Sequence, residues 1–143
     1  MGGGFYVITL VPVLSGYARP LWPQIEAWIA SATKEAGDWW SPDDVLAGIE
    51  RGALTAWVLA DDARLWGVVV SEIETAARHK IGVIALCAGE EQSKWLHLLP
   101  EIEDWARDQG CSEMMVKGRG GWVRRLRSHG YGERYVAIGK DLQ

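Results

Sequence analysis

Glu72 and Glu74 stand two residues apart in the apolar run VVVSEIET. On a strand, that spacing puts both carboxylates on one face. Burial there raises a carboxyl toward the range of a general base able to deprotonate an amine. The plainer reading is the solvated face of an antiparallel strand. His79 is a second candidate base, with an ordinary pKa of about 6.5, or else a histidine in a turn. Tyr131 offers either a proton donor or a packing ring. Cys87 ends an apolar strand, and nothing near it in sequence depresses a thiol pKa. Cys111 follows a helix stop and reads as core. Arg119, Arg124, Arg125 and Arg127 cluster beside a glycine-rich turn. The arginine fork suits phosphate and carboxylate. A solvated face balanced by the acidic helix Glu101–Asp108 is the alternative.

The chain has 143 residues, enough for one domain with a sizeable core. Its net charge of −4 argues against bulk affinity for nucleic acid. The basic residues concentrate between Lys117 and Arg134, where six Lys or Arg meet one acid, Glu133. No recognition-helix pattern or aromatic stacking ladder accompanies them. The two cysteines form neither CxxC nor metal spacing, so a reduced cytoplasmic protein is expected. The apolar start Phe5–Leu14 is too short to span a membrane and lacks the basic leader of a signal peptide. Nine Trp against one Phe is unusual. Each indole carries an N–H that wants a partner. Trp28, Trp95 and Trp105 fall on apolar helical faces. Trp39, Trp40 and Trp122 fall in loops or helix starts, where they would line a cleft or a partner surface.

The elements that must position these groups follow from periodicity. Phe5–Val11 reads as a first strand and Pro12–Pro20 as a connection. Leu21–Ala36 is a helix with an apolar face at 3.6 spacing. Ser41-Pro42-Asp43-Asp44 is a helix start with Ser41 as N-cap, running to about Arg51. Leu54–Ala60 and Leu65–Glu74, joined at Asp61-Asp62, form a hairpin. Lys80–Leu86 is a further strand. A loop, Cys87–Ser93, leads to a helix covering Trp95, Leu98, Leu99, Ile102 and Ala106. Pro100 requires that helix to bend or to begin near Leu99. Gly110 ends it. Ser112–Lys117 is a strand, Trp122–His129 a short basic helix stopped by Gly130, and Tyr135–Leu142 a last strand. The order β-α-α-β-β-β-α-β-α-β is a mixed, mostly antiparallel α/β arrangement with helices on both faces.

That order resembles the GNAT fold of N-acetyltransferases over nearly the whole chain. Gly130-Tyr131 looks like that family's Gly-aromatic ending. The pieces Leu21-Trp22, Asp44, Gly52, Trp105-Ala106-Arg107, Gly110-Cys111, Arg119-Gly120-Gly121-Trp122 and Gly130-Tyr131 resemble small GNAT-like proteins of tailed phages and prophages. The resemblance implies acetyl-CoA bound in an opening between the fourth and fifth strands, with Leu86, Cys87, Ala88, Gly89, Gln92, Ser93, Arg119 and Arg124 holding it. Its pyrophosphate would rest on N–H groups at a helix start. The family's loop is Arg or Gln, two residues, Gly, one residue, then Gly or Ala. Here Cys87-Ala88-Gly89-Glu90-Glu91-Gln92-Ser93 keeps only Gly89, and Glu90 and Glu91 are expected to repel the pyrophosphate. Counting back from Gly130 puts Arg119 at the family's Asn, Trp122 at its small residue and Leu126 at its tyrosine acid.

Two functions follow from the resemblance. One is acetyl transfer to a small-molecule or protein amine, with Glu72 or Glu74 as base and Tyr131 or water as acid. The other is a non-catalytic phage or prophage accessory that binds a phage or host protein through its Trp- and Arg-rich surface. The protein is expected in the cytoplasm, or associated with a virion if phage-encoded.

Overall fold

The computed structural model describes residues 7–118 and 121–143. Arg119, and Phe5 and Tyr6 of the expected first strand, lie outside them. The elements are β1 (Thr9–Val13), α1 (Ala18–Glu35), α2 (Pro42–Glu50), β2 (Thr55–Ala60), β3 (Leu65–Thr75), β4 (Lys80–Gly89), α3 (Leu99–Asp108), β5 (Glu113–Val116) and α4 (Gly121–Leu126). Short 3-10 turns occupy Ser15–Tyr17, Gln92–Lys94, Leu96–Leu98 and Arg127–His129. The strands form one sheet in the order β1-β2-β3-β4-β5. Neighbours are antiparallel except β4 and β5, which are parallel.

Local chemistry accounts for most boundaries. At α2, the Asp44 N–H donates to Ser41 Oγ at 3.1 Å, and the Ser41 N–H donates to Asp44 Oδ2 at 2.8 Å. Such a reciprocal cap satisfies two orphan donors and contributes about 1 kcal/mol. Pro100 does not bend α3: it lies at the second position of a helix that begins at Leu99, where its missing N–H is not needed. Pro12, expected in a connection, lies in β1 opposite Trp57. β1 is an outer strand, where proline is tolerated. α1 begins at Ala18, ahead of Leu21, with Pro23 inside it.

Both faces of the sheet are covered. Trp22, Ile25, Ile29, Val45 and Ile49 of α1 and α2 pack against Val58, Val68 and Val70. Trp95, Leu99, Ile102 and Leu126 pack on the other face against Trp57, Leu59, Val69 and Ile84. Burial on both faces explains why β2 and β3 read as continuous apolar runs. Trp105 meets Trp57 edge-on, with ring centroids 5.5 Å apart. The Trp57 Nε1–H donates to buried Ser71 Oγ at 2.8 Å.

The last expected strand is a correction. Tyr135–Leu142 forms no strand, and Tyr135, Val136, Ile138 and Leu142 are exposed. Alternation supplies a pattern, but a strand also needs a ladder partner. β5 has only four residues. Side chains tie the segment's start instead: Tyr131 to Glu103 and Arg134 to Glu113.

Candidate functional site

β5 is much shorter than β4, and this opens the sheet. β4 and β5 pair from Ile81↔Glu113 to Ile84↔Val116. The Lys117 N–H adds one more bond, to the Ile84 carbonyl at 3.0 Å. Beyond that point residues 85–89 of β4 meet β3 alone among the described residues. Ala85 is the extra residue of a bulge, because Val70 faces Leu86 while Ser71 faces Ile84. A bulge re-aims backbone and side chains, and this one sits where β5 departs.

A cleft of about 1220 Å³ passes through the opening. On the α1–α2 side its wall includes Trp39, Trp40, Glu72 and Glu74. Ala85, Leu86 and Lys117 stand at the opening itself. Glu103, Trp122, Leu126 and Tyr131 line the far side.

Glu72 and Glu74 share a face of β3, as their spacing predicts, opposite Val83 and Ile81 of β4. Lys117 reaches both: its Nζ lies 2.5 Å from Glu74 Oε1 and 4.0 Å from Glu72 Oε1. The hydrogen bond to Glu74 raises the lysine above its ordinary pKa. Partial burial raises the Glu72 carboxyl; the neighbouring Glu74 adds to this and Lys117 opposes it. Two carboxylates and one ammonium thus form a triad at the apex of the opening.

Tyr131 follows Gly130, whose φ of +87° turns the chain out of the last helical turn. Its hydroxyl donates to Glu103 Oε2 at 2.8 Å. Burial and that carboxylate push the phenol above its ordinary range. Leu126, at the family's tyrosine position, is buried. His79 lies apart from the cleft wall, with Nδ1 3.3 Å from Ser112 Oγ.

Among the expected cofactor residues, Leu86 lies on the cleft wall. Cys87, Ala88 and Gly89 continue along β4, and Gln92 and Ser93 form the turn after it. Burial pushes the Cys87 thiol up to about 12, against the pull of Arg125, so it is no nucleophile at neutral pH. Gly89 has φ of +153°, and a Cβ there would stand 2.4 Å from the Trp66 carbonyl oxygen. Only glycine permits that approach. The N–H groups of Glu91, Gln92 and Ser93 donate to no acceptor among the described residues. Arg124 is exposed, and its neighbour Arg125 donates Nη1 to Gln92 Oε1 at 2.9 Å.

The two glutamates expected to repel an anion are each matched by a cation. Glu90 pairs with Arg64 at 3.0 Å and Glu91 with Lys94 at 3.1 Å. Arg64 stacks 3.8 Å above the Trp66 ring, and Lys94 lies 5.3 Å from it. Arg64, Lys94 and Trp66 carried no functional signal in the sequence, since their partners lie across a hairpin or a turn. Lys117 read as a strand end and as the first residue of the basic stretch to Arg134, not as a partner of Glu72 and Glu74. Among the described residues no cluster of His, Cys, Asp or Glu could hold a metal, and no helix is long and apolar enough to cross a membrane.

No protein-family model and no curated protein sequence matches this chain. Solved structures do. An aminoglycoside acetyltransferase, meta-AAC0020, from an uncultured soil metagenomic sample in complex with sisomicin has a TM-score of 0.69 at 11% identity, covering 95% of this chain and 97% of that one. Glucosamine-6-phosphate N-acetyltransferase from Arabidopsis thaliana has a TM-score of 0.68 at 10% identity, covering 96% and 99%. Aminoglycoside N-acetyltransferase AAC(6')-Iy in complex with CoA has a TM-score of 0.63 at 12% identity, covering 98% and 99%. The fold is that of the GNAT acetyltransferases.

Proposed function

We propose that this chain transfers an acetyl group from acetyl-CoA to an amine. The observation that carries this reading is the Glu72–Lys117–Glu74 triad at the point where β4 outruns β5. The fold is shared with a CoA complex. The groups of β4 beyond Ile84 that no strand claims would orient the acyl carbonyl. The free N–H groups of residues 91–93, with Arg64, Lys94, Arg125 and Arg124, would hold the phosphates once the glutamates yield them; Arg119 is assigned with them from its place in the basic cluster. Leu86 and Cys87 to Gly89 would flank the pantetheine arm. Glu72 would take the proton from the acceptor ammonium, with Glu74 beside it. The amine nitrogen then bonds to the acyl carbon, the carbon–sulfur bond breaks, and the thiolate takes a proton from Tyr131 or water, which the proton shed by the nitrogen replaces.

Trp39 and Trp40 stand at the acceptor end, where indole faces and carboxylates together favour a cationic amine, on a small molecule or a protein. A panel of polyamines, aminoglycosides and peptide N-termini tests this. Amine-dependent release of free thiol from acetyl-CoA is expected. No release above background with any amine contradicts it.

A second reading is a non-catalytic accessory of phage or prophage type, cytoplasmic or virion-associated, that binds a protein through Trp39, Trp40 and the α4 arginines. Buried Leu126 in place of a tyrosine acid and 88% exposure of Trp39 favour it. Thiol release that Glu72→Gln abolishes excludes it.

A further inference from the structure

We propose that Lys117 is itself an acetyl acceptor: the chain acetylates its own Lys117 from bound acetyl thioester. This rests on reading the cleft as the acetyl-CoA site. Lys117 is the first residue after β5, and its N–H closes the last bond between the parting strands. Its side chain lines the cleft beside Ala85 and Leu86, on the face of Glu72 and Glu74. An acceptor amine would have to stand there, within reach of the same two carboxylates. The protein supplies an amine of its own at that place.

Two of the chain's other lysines are engaged elsewhere. Lys80 Nζ donates to the Gln109 carbonyl at 2.8 Å, and Lys94 pairs with Glu91 against Trp66. Lys34, Lys80, Lys94 and Lys140 are not on the cleft wall. The Lys117 pair is half-exposed, and such pairs add little to stability. Its position therefore calls for another role.

The step balances. Lys117 Nζ, hydrogen-bonded to Glu74 at 2.5 Å and 4.0 Å from Glu72, first gives a proton to that carboxylate pair. The nitrogen bonds to the acyl carbon, the carbon–sulfur bond breaks with its electron pair on sulfur, and the thiolate takes up the second proton, which the nitrogen sheds as it becomes an amide. The products are acetyl-Lys117 and free CoA thiol. Acetylation removes the positive charge between the two carboxylates. It leaves them facing each other and clears the ammonium from the place an outside amine must take.

The test incubates the purified full chain with acetyl-CoA and no acceptor, then maps acetylation by mass spectrometry. Lys117 is expected to gain one acetyl group at a rate independent of protein concentration. Glu72→Gln slows it roughly a hundredfold, the scale of a lost general base. Lys117→Arg keeps the cation and loses the label. Equal labelling of all five lysines is plain chemical acetylation and overturns the proposal. A second readout needs no turnover: in Lys117→Gln, carboxyl NMR shows Glu72 titrating at higher pH than in wild type, and acetylated wild type shows the same shift. An unmoved Glu72 also overturns it. If acetyl-CoA raises the melting temperature but Lys117 stays unmodified, this inference fails and the acetyltransferase reading stands. If neither happens, both fail.

Discussion

Trp95→Ala is expected to destabilise the protein by about 3–5 kcal/mol, the scale for removing a buried tryptophan. Trp95 is 1% exposed and belongs to the core beneath α3, with Leu96, Leu99 and Ile102. It stands between the Gln92–Lys94 turn and α3, and its Nε1–H donates to the Glu90 carbonyl at 2.8 Å. The ring packs so closely over β3 that a Cβ at Gly67 would come within 2.9 Å of it. One side chain therefore holds the turn after β4 and roofs the neighbouring core. Truncation leaves a cavity and frees the turn together. A fall in melting temperature of about 10 °C or more corresponds to that loss. Trp95→Phe keeps one ring in place but loses the N–H and part of the bicyclic ring, and is expected to cost less, about 1–3 kcal/mol. Thermal and denaturant unfolding of both variants check this. A Trp95→Ala loss below the Trp95→Phe loss would show that the turn is held by other groups.

Glu72→Gln has the largest expected effect on turnover, about 10²-fold or more in kcat/KM, with the best amine found. The carboxyl is raised by burial, so its basic form disappears as pH falls through that raised value. The acid limb of the pH profile reports it, and Glu72→Gln flattens that limb. The stability sign runs the other way. A carboxyl whose folded pKa is raised stabilises the fold while protonated, and that contribution is lost as pH rises through its folded pKa. At neutral pH Glu72→Gln should therefore melt no lower than wild type. A rate loss without a melting loss separates chemistry from misfolding. Unchanged kcat/KM in the variant removes Glu72 from the role of base.

Features set by neighbours along the chain were legible in the sequence. The Ser41–Asp44 cap spans four residues and formed as its composition requires. Pro100 left two options, and α3 took the one that begins at Leu99. The face shared by Glu72 and Glu74 followed from strand geometry alone. What was not legible depends on partners distant in sequence. Lys117 meets Glu74 across 43 positions, and Arg64 meets Glu90 across 26. Nothing in the pattern around Glu90 reveals Arg64, whereas the cation of Glu91 is Lys94, three residues on and within the local pattern. Tyr135–Leu142 fails for the same reason: its alternation is real, but no long strand is there to receive it. Leu126, the departure read from spacing, is a core residue of α4.

Thermal melting with increasing acetyl-CoA is the most direct test of a working cleft between β4 and β5. A ligand that binds only the folded state stabilises it by about 2.7 kcal/mol at a hundredfold excess over Kd. The melting temperature should climb with concentration, and climb less when Arg125→Ala releases Gln92. A flat melting temperature up to millimolar acetyl-CoA would contradict the acetyltransferase account and leave the tryptophan and arginine surface as the place to look for a partner.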